Sequence, residues 1–373
     1  MSRLDQLKLE VAKARSQGDS QPKELDLAIY LLRAGEFRAA TEIYSSFKRP
    51  DIFNSKHDLA IRVMVFEGLR SYFENQEYDF AVDRLNRALN ISIALRQMPM
   101  VAMAGAWLGH LTFNTRNYDK MVWAIGAASK ALDRHDLDSA VRISLTLADA
   151  YCAIEDYERS RDWYQKVRVL AVDCGDQISL AAMMHNRSVI SISNLFLSNF
   201  LTGSRSEKFE LVLSEVASAE FYEGYVGIRP VLYPYLMWKY RISILKGDFS
   251  SALKVANSLL DQGDSSGNGP HTKLVLVDCS YCFYKIGDVD LAHSIICQLS
   301  MSDFEGFGFD DRAVVFSMMS SIYGACGNVE KRREYERLAS VAAENHLIDQ
   351  SRLRAAIDRL SVDAEFLDCQ LFH

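Results

Sequence analysis

The stretch Lys246–Leu260, KGDFSSALKVANSLL, opens with a tight turn, Gly247-Asp248-Phe249, and runs on with apolar residues at helical spacing. Close relatives of this phrase occur elsewhere in the chain: AGEFRAATEIY from Ala34, NQEYDFAVDRLNRAL from Asn75 and IGDVDLAHSIICQL from Ile286. A sequence that keeps writing one turn-plus-helix phrase predicts a repeat architecture, and that reading takes precedence over any single motif.

Anchoring each unit on the residue after the turn gives Phe37, Tyr78, Tyr118, Tyr157, Phe249, Val289 and Val329, at successive spacings of 41, 40, 39, 92, 40 and 40. The interval of 92 holds one more anchor, Phe209, which lies 40 residues before Phe249; the remaining 52 implies an insert near 198–208. Eight units with a period near 40 result. Each reads as two helices. In the third unit one apolar-periodic run precedes the turn Arg116-Asn117-Tyr118 and another follows it. A small residue at the turn can take the positive φ that closes the first helix. Asp or Glu beside it favours the start of the second, where backbone N–H groups lack partners. Proline supplies an independent check, because it is tolerated near the first turn of a helix and not inside one. Pro99, Pro230 and Pro270 lie 19 residues before an anchor, Pro22 and Pro234 lie 15 before one, and only Pro50 falls elsewhere.

These features resemble the tetratricopeptide-repeat family in a long-period form. That family has Leu-Gly on the first helix, an aromatic three residues later, an aromatic at the turn and a small residue three beyond it. Here Leu108-Gly109 and Tyr118 match in the third unit, Tyr72, Tyr78 and Ala81 in the second, Tyr151, Tyr157 and Tyr164 in the fourth, and Ala252 and Ala292 fill the small position later. No unit carries the whole set, and the period exceeds the family's usual 34. The resemblance implies an all-α, right-handed α-solenoid of about eight helix-turn-helix repeats with helical caps. The expected layout is a capping helix over 1–20, the repeat array over 21–345, and a capping helix and tail over 346–373.

The composition fits that class. Of 373 residues, 49% are apolar and 24% charged, with only 6 Pro, which suits a large buried interior. A net charge of −7 argues against nucleic acid as a partner. The charged N-terminus does not read as a secretory signal, and no apolar run approaches the roughly 18 residues of a membrane span. The seven cysteines are odd in number and mostly sit in apolar helical patterns, which suits a reducing, cytoplasmic compartment.

Catalytic signatures are missing. Cys279-Ser-Tyr-Cys282 has no second ligand pair and falls in mid-helix, so it reads as structural, and no metal or cofactor is expected. GDSSGNGP at 263–270 lacks the Lys and the preceding strand of a phosphate loop, and FEGFGFDD at 304–311 reads as an aromatic-rich connector.

In a stack of helix pairs the first helices line the concave side. The position eight residues before each anchor holds Arg70, His110, Asp149, Arg241, Tyr281 and Ser321. The position four before holds Glu74, Asn114, Ala153, Leu245, Lys285 and Ala325. A polar row on an otherwise apolar helix either faces water or a partner, or is paired between neighbours, because unpaired buried polar groups are costly. His185 and Asn186 stand near the inner face of the fifth first helix. The candidate groove is therefore Arg70, Glu74, His110, Asn114, Asp149, His185, Asn186, Arg241, Tyr281 and Lys285.

The leading expectation is a non-catalytic scaffold that binds a protein or peptide segment along this groove. The alternative, implied by the resemblance to long-period arrays in bacterial regulators and peptide-pheromone receptors, is a regulatory sensor whose output is a change of shape passed to a partner. Self-association is open in either case.

Overall fold

The structure is a computed structural model that describes residues 1–47, 57–203, 208–226, 232–263 and 272–372. For 232–236, 262–263 and 361–372 the description is of the backbone alone. Pro50, Pro230, Pro270 and most of the GDSSGNGP stretch lie outside the described residues. Among the described residues there is no β-strand.

The helices are α1 (Arg3–Ser16), α2 (Gln21–Arg33), α3 (Phe37–Ser45), α4 (His57–Arg70), α5 (Tyr78–Ala94), α6 (Met98–Asn114), α7 (Tyr118–Ala131), α8 (Leu137–Ala153) and α9 (Tyr157–Asp173). They continue with α10 (Gln177–Thr202), α11 (Phe209–Val226), α12 (Leu232–Lys246), α13 (Phe249–Gly263), α14 (Thr272–Lys285), α15 (Val289–Ile296), α16 (Phe309–Ala325) and α17 (Val329–Phe372). A π-helical turn, Ser71–Asn75, extends α4, and a 3₁₀ turn, Met301–Phe304, precedes α16.

Each of the eight anchor residues is the first residue of a helix. Before the seven anchors other than Phe209, whose preceding turn lies outside the described residues, the turn has one geometry. Two residues ahead of the anchor the backbone is left-handed, with φ 79° at Gly247 and 58° at Gln76, Arg116 and Glu155. The residue between is an N-cap: Asn117, Asp156 and Asp288 each accept a hydrogen bond from the backbone N–H three residues on. Gly109 has a packing role. A Cβ there would come within 2.5 Å of Ile125 Cγ1, so only glycine lets α7 lie this close to α6.

The chain divides into two compact units, one of residues 1–184, 221–229 and 352–373, the other of 185–220 and 230–351. In the first unit, α2 and α4–α7 bury a continuous core that includes Leu25, Phe66, Leu108 and Leu111. Helix α1 packs with Leu7 and Val11 on Leu27, Tyr30 and Ile178. Its start is held at the turn before α10, where Arg3 N–H donates to the Gly175 carbonyl at 2.9 Å. Gly175 is required there twice over: its φ is +68°, and a Cβ would lie 2.5 Å from the Met1 carbonyl oxygen. Thus α1 touches both the first hairpin and the start of α10.

The second unit centres on α12–α16, with Tyr240, Phe304 and Phe316 buried. The FEGFGFDD stretch contributes the core residue Phe304 and the first turn of α16. Helix α17 runs unbroken through residue 346, where a separate cap was expected to begin. From residue 352 onward it belongs to the first unit, where Arg354 donates to the Ile154 carbonyl at 3.0 Å and Arg359 pairs with Asp119 at 2.6 Å.

Candidate functional site

The first helices α2, α4, α6 and α8, together with α1, enclose a cavity of about 410 Å³ in the first unit. Met103 and Trp107 come from α6, Arg33 from α2, Arg142 from α8, and Arg3 from α1. This is the volume range of small-molecule and short-peptide sites. Arg33 is held by Asp176 at 2.7 Å, both nearly buried, and it also donates to Ser179 at 2.6 Å. This ion pair ties the end of α2 to the start of α10. The Arg142 guanidinium lies over the Trp107 ring, 3.9 Å from its centroid. Burial, and then the neighbouring Arg33, push the Arg142 pKa down to about 9.

None of the expected groove residues of this unit lines the cavity, and His110 adjoins it, its ring centroid 6.0 Å from that of Trp107. His110 is 6% exposed, its Nε2 3.4 Å from both the Tyr72 hydroxyl and the Asn114 amide, and that amide donates to Tyr72 at 3.2 Å. Both neighbours can donate, so Nε2 accepts and the proton is assigned to Nδ1. Asp149, 2% exposed, accepts from the Tyr164 hydroxyl at 2.8 Å. Arg70 and Glu74 sit nearer solvent, 4.0 Å apart, with Arg70 over the Tyr44 ring. Of the courses open to the polar row, His110 and Asp149 therefore take pairing with neighbours rather than open water. They are paired within the helix layer through His110 Nε2 and the Asp149 carboxylate, while buried His110 Nδ1 has no hydrogen-bond partner among the described residues.

The second unit shows the same pairing more strongly. Arg241 is 3% exposed, bound to Asp278 at 3.3 Å and Asp311 at 3.0 Å, with Phe196 beneath it. Burial opposes its charge, but the two carboxylates outweigh burial and raise its pKa. Tyr281 packs on Phe200 and Phe249, and exposed Lys285 places its ammonium over Tyr281 and Tyr284. His185 packs against Trp238 in a tilted arrangement, with centroids 4.4 Å apart and an interplanar angle of 57°. Asn186 is half-buried on the same turn of α10. Cys279 and Cys282 are core residues, and burial pushes the Cys279 thiol up to about 12, which leaves it protonated and unreactive. Among the described residues no group of three His, Cys, Asp or Glu side chains could hold a metal ion.

Paired helices closed by left-handed turns, with inner first-helix faces around a cavity, invite comparison with solved structures. The fold resembles that of Rap proteins. A crystal structure of a Rap protein complexed with competence and sporulation factor matches at a TM-score of 0.58 with 14% identity, covering 93% of this chain and 95% of that one. The apo form of RapI matches at a TM-score of 0.47 with 13% identity, covering 92% and 96%. No protein-family model and no curated protein matches the sequence. At these identities the likeness describes the fold.

Three cavity residues escaped the sequence reading. Arg33 stands four residues before Phe37, on the same row as Glu74 and Asn114, in a unit where that row was not examined. Arg142 is the lone cation in LDSAVRISLTLADAYCA, a helix whose buried residues span nearly its full length. That isolated charge was the available signal. Trp107 lies eleven residues before its anchor, on neither polar row.

His110 also makes a pH prediction. Burial first, and then Arg142, lower its pKa well below 6.5, so the folded ring stays neutral. The unfolded chain takes up the proton near its ordinary pKa and the folded one does not. Stability is therefore fully present above about pH 6.5 and is lost as pH falls, by up to about 1.4 kcal/mol per unit. Urea unfolding at pH 7 and pH 5.5 should show this slope in the wild type. In His110→Phe the slope should be smaller by His110's share; an unchanged slope would mean the ring is protonated in the folded state.

Proposed function

We propose that this protein is a non-catalytic regulatory receptor that binds a short peptide in the cavity of its first unit. The observation that carries the reading is that cavity itself. It is lined by inner faces of successive first helices, it contains a buried aromatic and a cluster of arginines, and it is of ligand size. The similarity to a Rap structure complexed with competence and sporulation factor supports a ligand-binding role for this architecture. A peptide suits the surface better than a nucleic acid, given the net charge of −7. Among the described residues no helix is long and apolar enough to cross a membrane. The buried cysteines suit a cytoplasmic setting.

The broader scaffold reading keeps a place for Arg70, Glu74 and Asn114 as partner contacts on the first unit and, separately, for His185, Asn186, Tyr281 and Lys285 as partner contacts on the second. Buried His110, Asp149 and Arg241 then serve as the supports behind them.

A binding screen of synthetic peptides of four to eight residues against the full chain tests the receptor reading. Binders should quench tryptophan fluorescence and raise the melting temperature. Trp107→Ala should weaken them at least about tenfold, the loss expected for a central buried aromatic contact. If no peptide binds, or binders ignore Trp107→Ala, the cavity is not the receptor site.

A further inference from the structure

The cavity has an unbalanced charge at one place. Arg3 is paired with Asp138 at 2.5 Å and with Glu10 at 3.2 Å. Lys23 pairs with Glu10 at 2.8 Å, Arg33 with Asp176 at 2.7 Å, and Arg62 with Asp26 and Asp58. Arg142 alone among these lining cations has no carboxylate within 4.0 Å and no hydrogen bond from its guanidinium to any described residue. It is nevertheless 94% removed from solvent, since its exposure is 6%. Trp107 covers one face of it; the neighbouring Arg33 repels its charge, and Asp176 and Asp149 attract it without pairing with it.

A buried guanidinium cannot shed its proton easily and is costly to keep unpaired. Its planar fork matches a carboxylate through two parallel hydrogen bonds. A single unpaired cation balances a singly charged oxyanion better than a dianion such as phosphate. The rim carries the opposite imbalance. Asp136 accepts from Ser139, through its backbone N–H and its side chain, and Asp173 is exposed; neither has a cation within 4.0 Å among the described residues.

We propose that the cavity seats the carboxylate of a small zwitterionic ligand, of the amino-acid or short-peptide class, on the Arg142 guanidinium with Trp107 beneath it, and directs the ligand's ammonium end to Asp136 and Asp173. This rests on the reading of the cavity as a peptide site and adds the polarity of the bound ligand.

The test uses the full chain, as wild type, Arg142→Met and Arg142→Lys, with calorimetric titration and thermal unfolding. The probes are a synthetic hexapeptide library in free-acid and C-terminally amidated forms, sodium acetate and inorganic phosphate at matched ionic strength. Free-acid binders should lose at least about tenfold in affinity on amidation and a similar factor in Arg142→Met, about 1.4 kcal/mol or more. The two losses should not add, because both remove one contact. Arg142→Lys should retain part of the affinity. Ligand-free Arg142→Met should melt no lower than the wild type, whereas a purely structural arginine would leave a destabilised variant. Acetate should raise the wild-type melting temperature and leave Arg142→Met unmoved.

Peptides that bind equally as acids and amides would overturn the carboxylate assignment and leave the receptor reading standing. An acetate response lost in Arg142→Met, with no peptide bound, would support the carboxylate seat and remove the peptide receptor. Stabilisation by phosphate in preference to acetate would overturn the monoanion assignment, and so would an Arg142→Met variant that melts well below the wild type.

Discussion

Arg241→Ala is expected to destabilise the second unit by about 3–5 kcal/mol, the usual cost of removing one partner from a buried ion pair. The reason is what remains. Asp278 is fully buried and also accepts from the Tyr240 hydroxyl at 2.8 Å, and Asp311 sits partly buried at the start of α16. Without the guanidinium, two carboxylates face each other across a space that Phe196 helps to close. The triad is not fully satisfied even in the wild type, because Arg241 Nη2 and Asp278 Oδ1 have no hydrogen-bond partner among the described residues. Its net worth against an apolar core is therefore small, and the paired replacement Arg241→Met with Asp278→Leu should recover most of the loss. Urea unfolding followed by far-UV circular dichroism measures both. A single variant as stable as the wild type would show that Arg241 is not the buried hub described here.

Asp176→Asn should be comparably severe in the first unit, again about 3–5 kcal/mol. Among the described residues Asp176 is the only carboxylate paired with Arg33, and it also offsets the charge of Arg142. It accepts from Ser179 as well, so it caps α10 while it neutralises α2. The asparagine keeps much of the cap but leaves two guanidinium groups in one cavity with no counter-charge of that strength. A second substitution, Arg142→Met, should then restore part of the loss, giving a favourable coupling between residues that share no direct contact. Thermal unfolding of the four members of that cycle decides it. Additive effects would mean that Asp176 acts on Arg33 alone.

How far this was readable beforehand differs between backbone and site. The anchors Phe37, Tyr78, Tyr118, Tyr157, Phe209, Phe249, Val289 and Val329 each begin a helix, and at the seven other than Phe209 a left-handed residue two positions ahead makes that start a local event written in neighbouring letters. The polar row was readable as a row. Its orientation was not, since burial of Arg241 depends on Asp278 and Asp311, 37 and 70 residues away on other first helices. Likewise the partner of Asp149 proved to be Tyr164, in the second helix of its own hairpin. The cavity was hidden for a different reason. It needs α1, expected only to cover the end of the array, to reach Gly175 and Ile178. Nothing in the charged pattern of α1 names a target so remote in the chain.

The left-handed turn has one more consequence. Gln76, Arg116 and Glu155 occupy the same torsional state that glycine takes at Gly35, Gly247, Gly287 and Gly327. What this chain repeats is a dihedral angle rather than an amino acid, and each non-glycine bears a strain of about 1–2 kcal/mol to keep it. Any method that scores letters sees noise at these positions, while one that scores shape sees a strict rhythm. A protein built this way can drift far in spelling and still keep its metre.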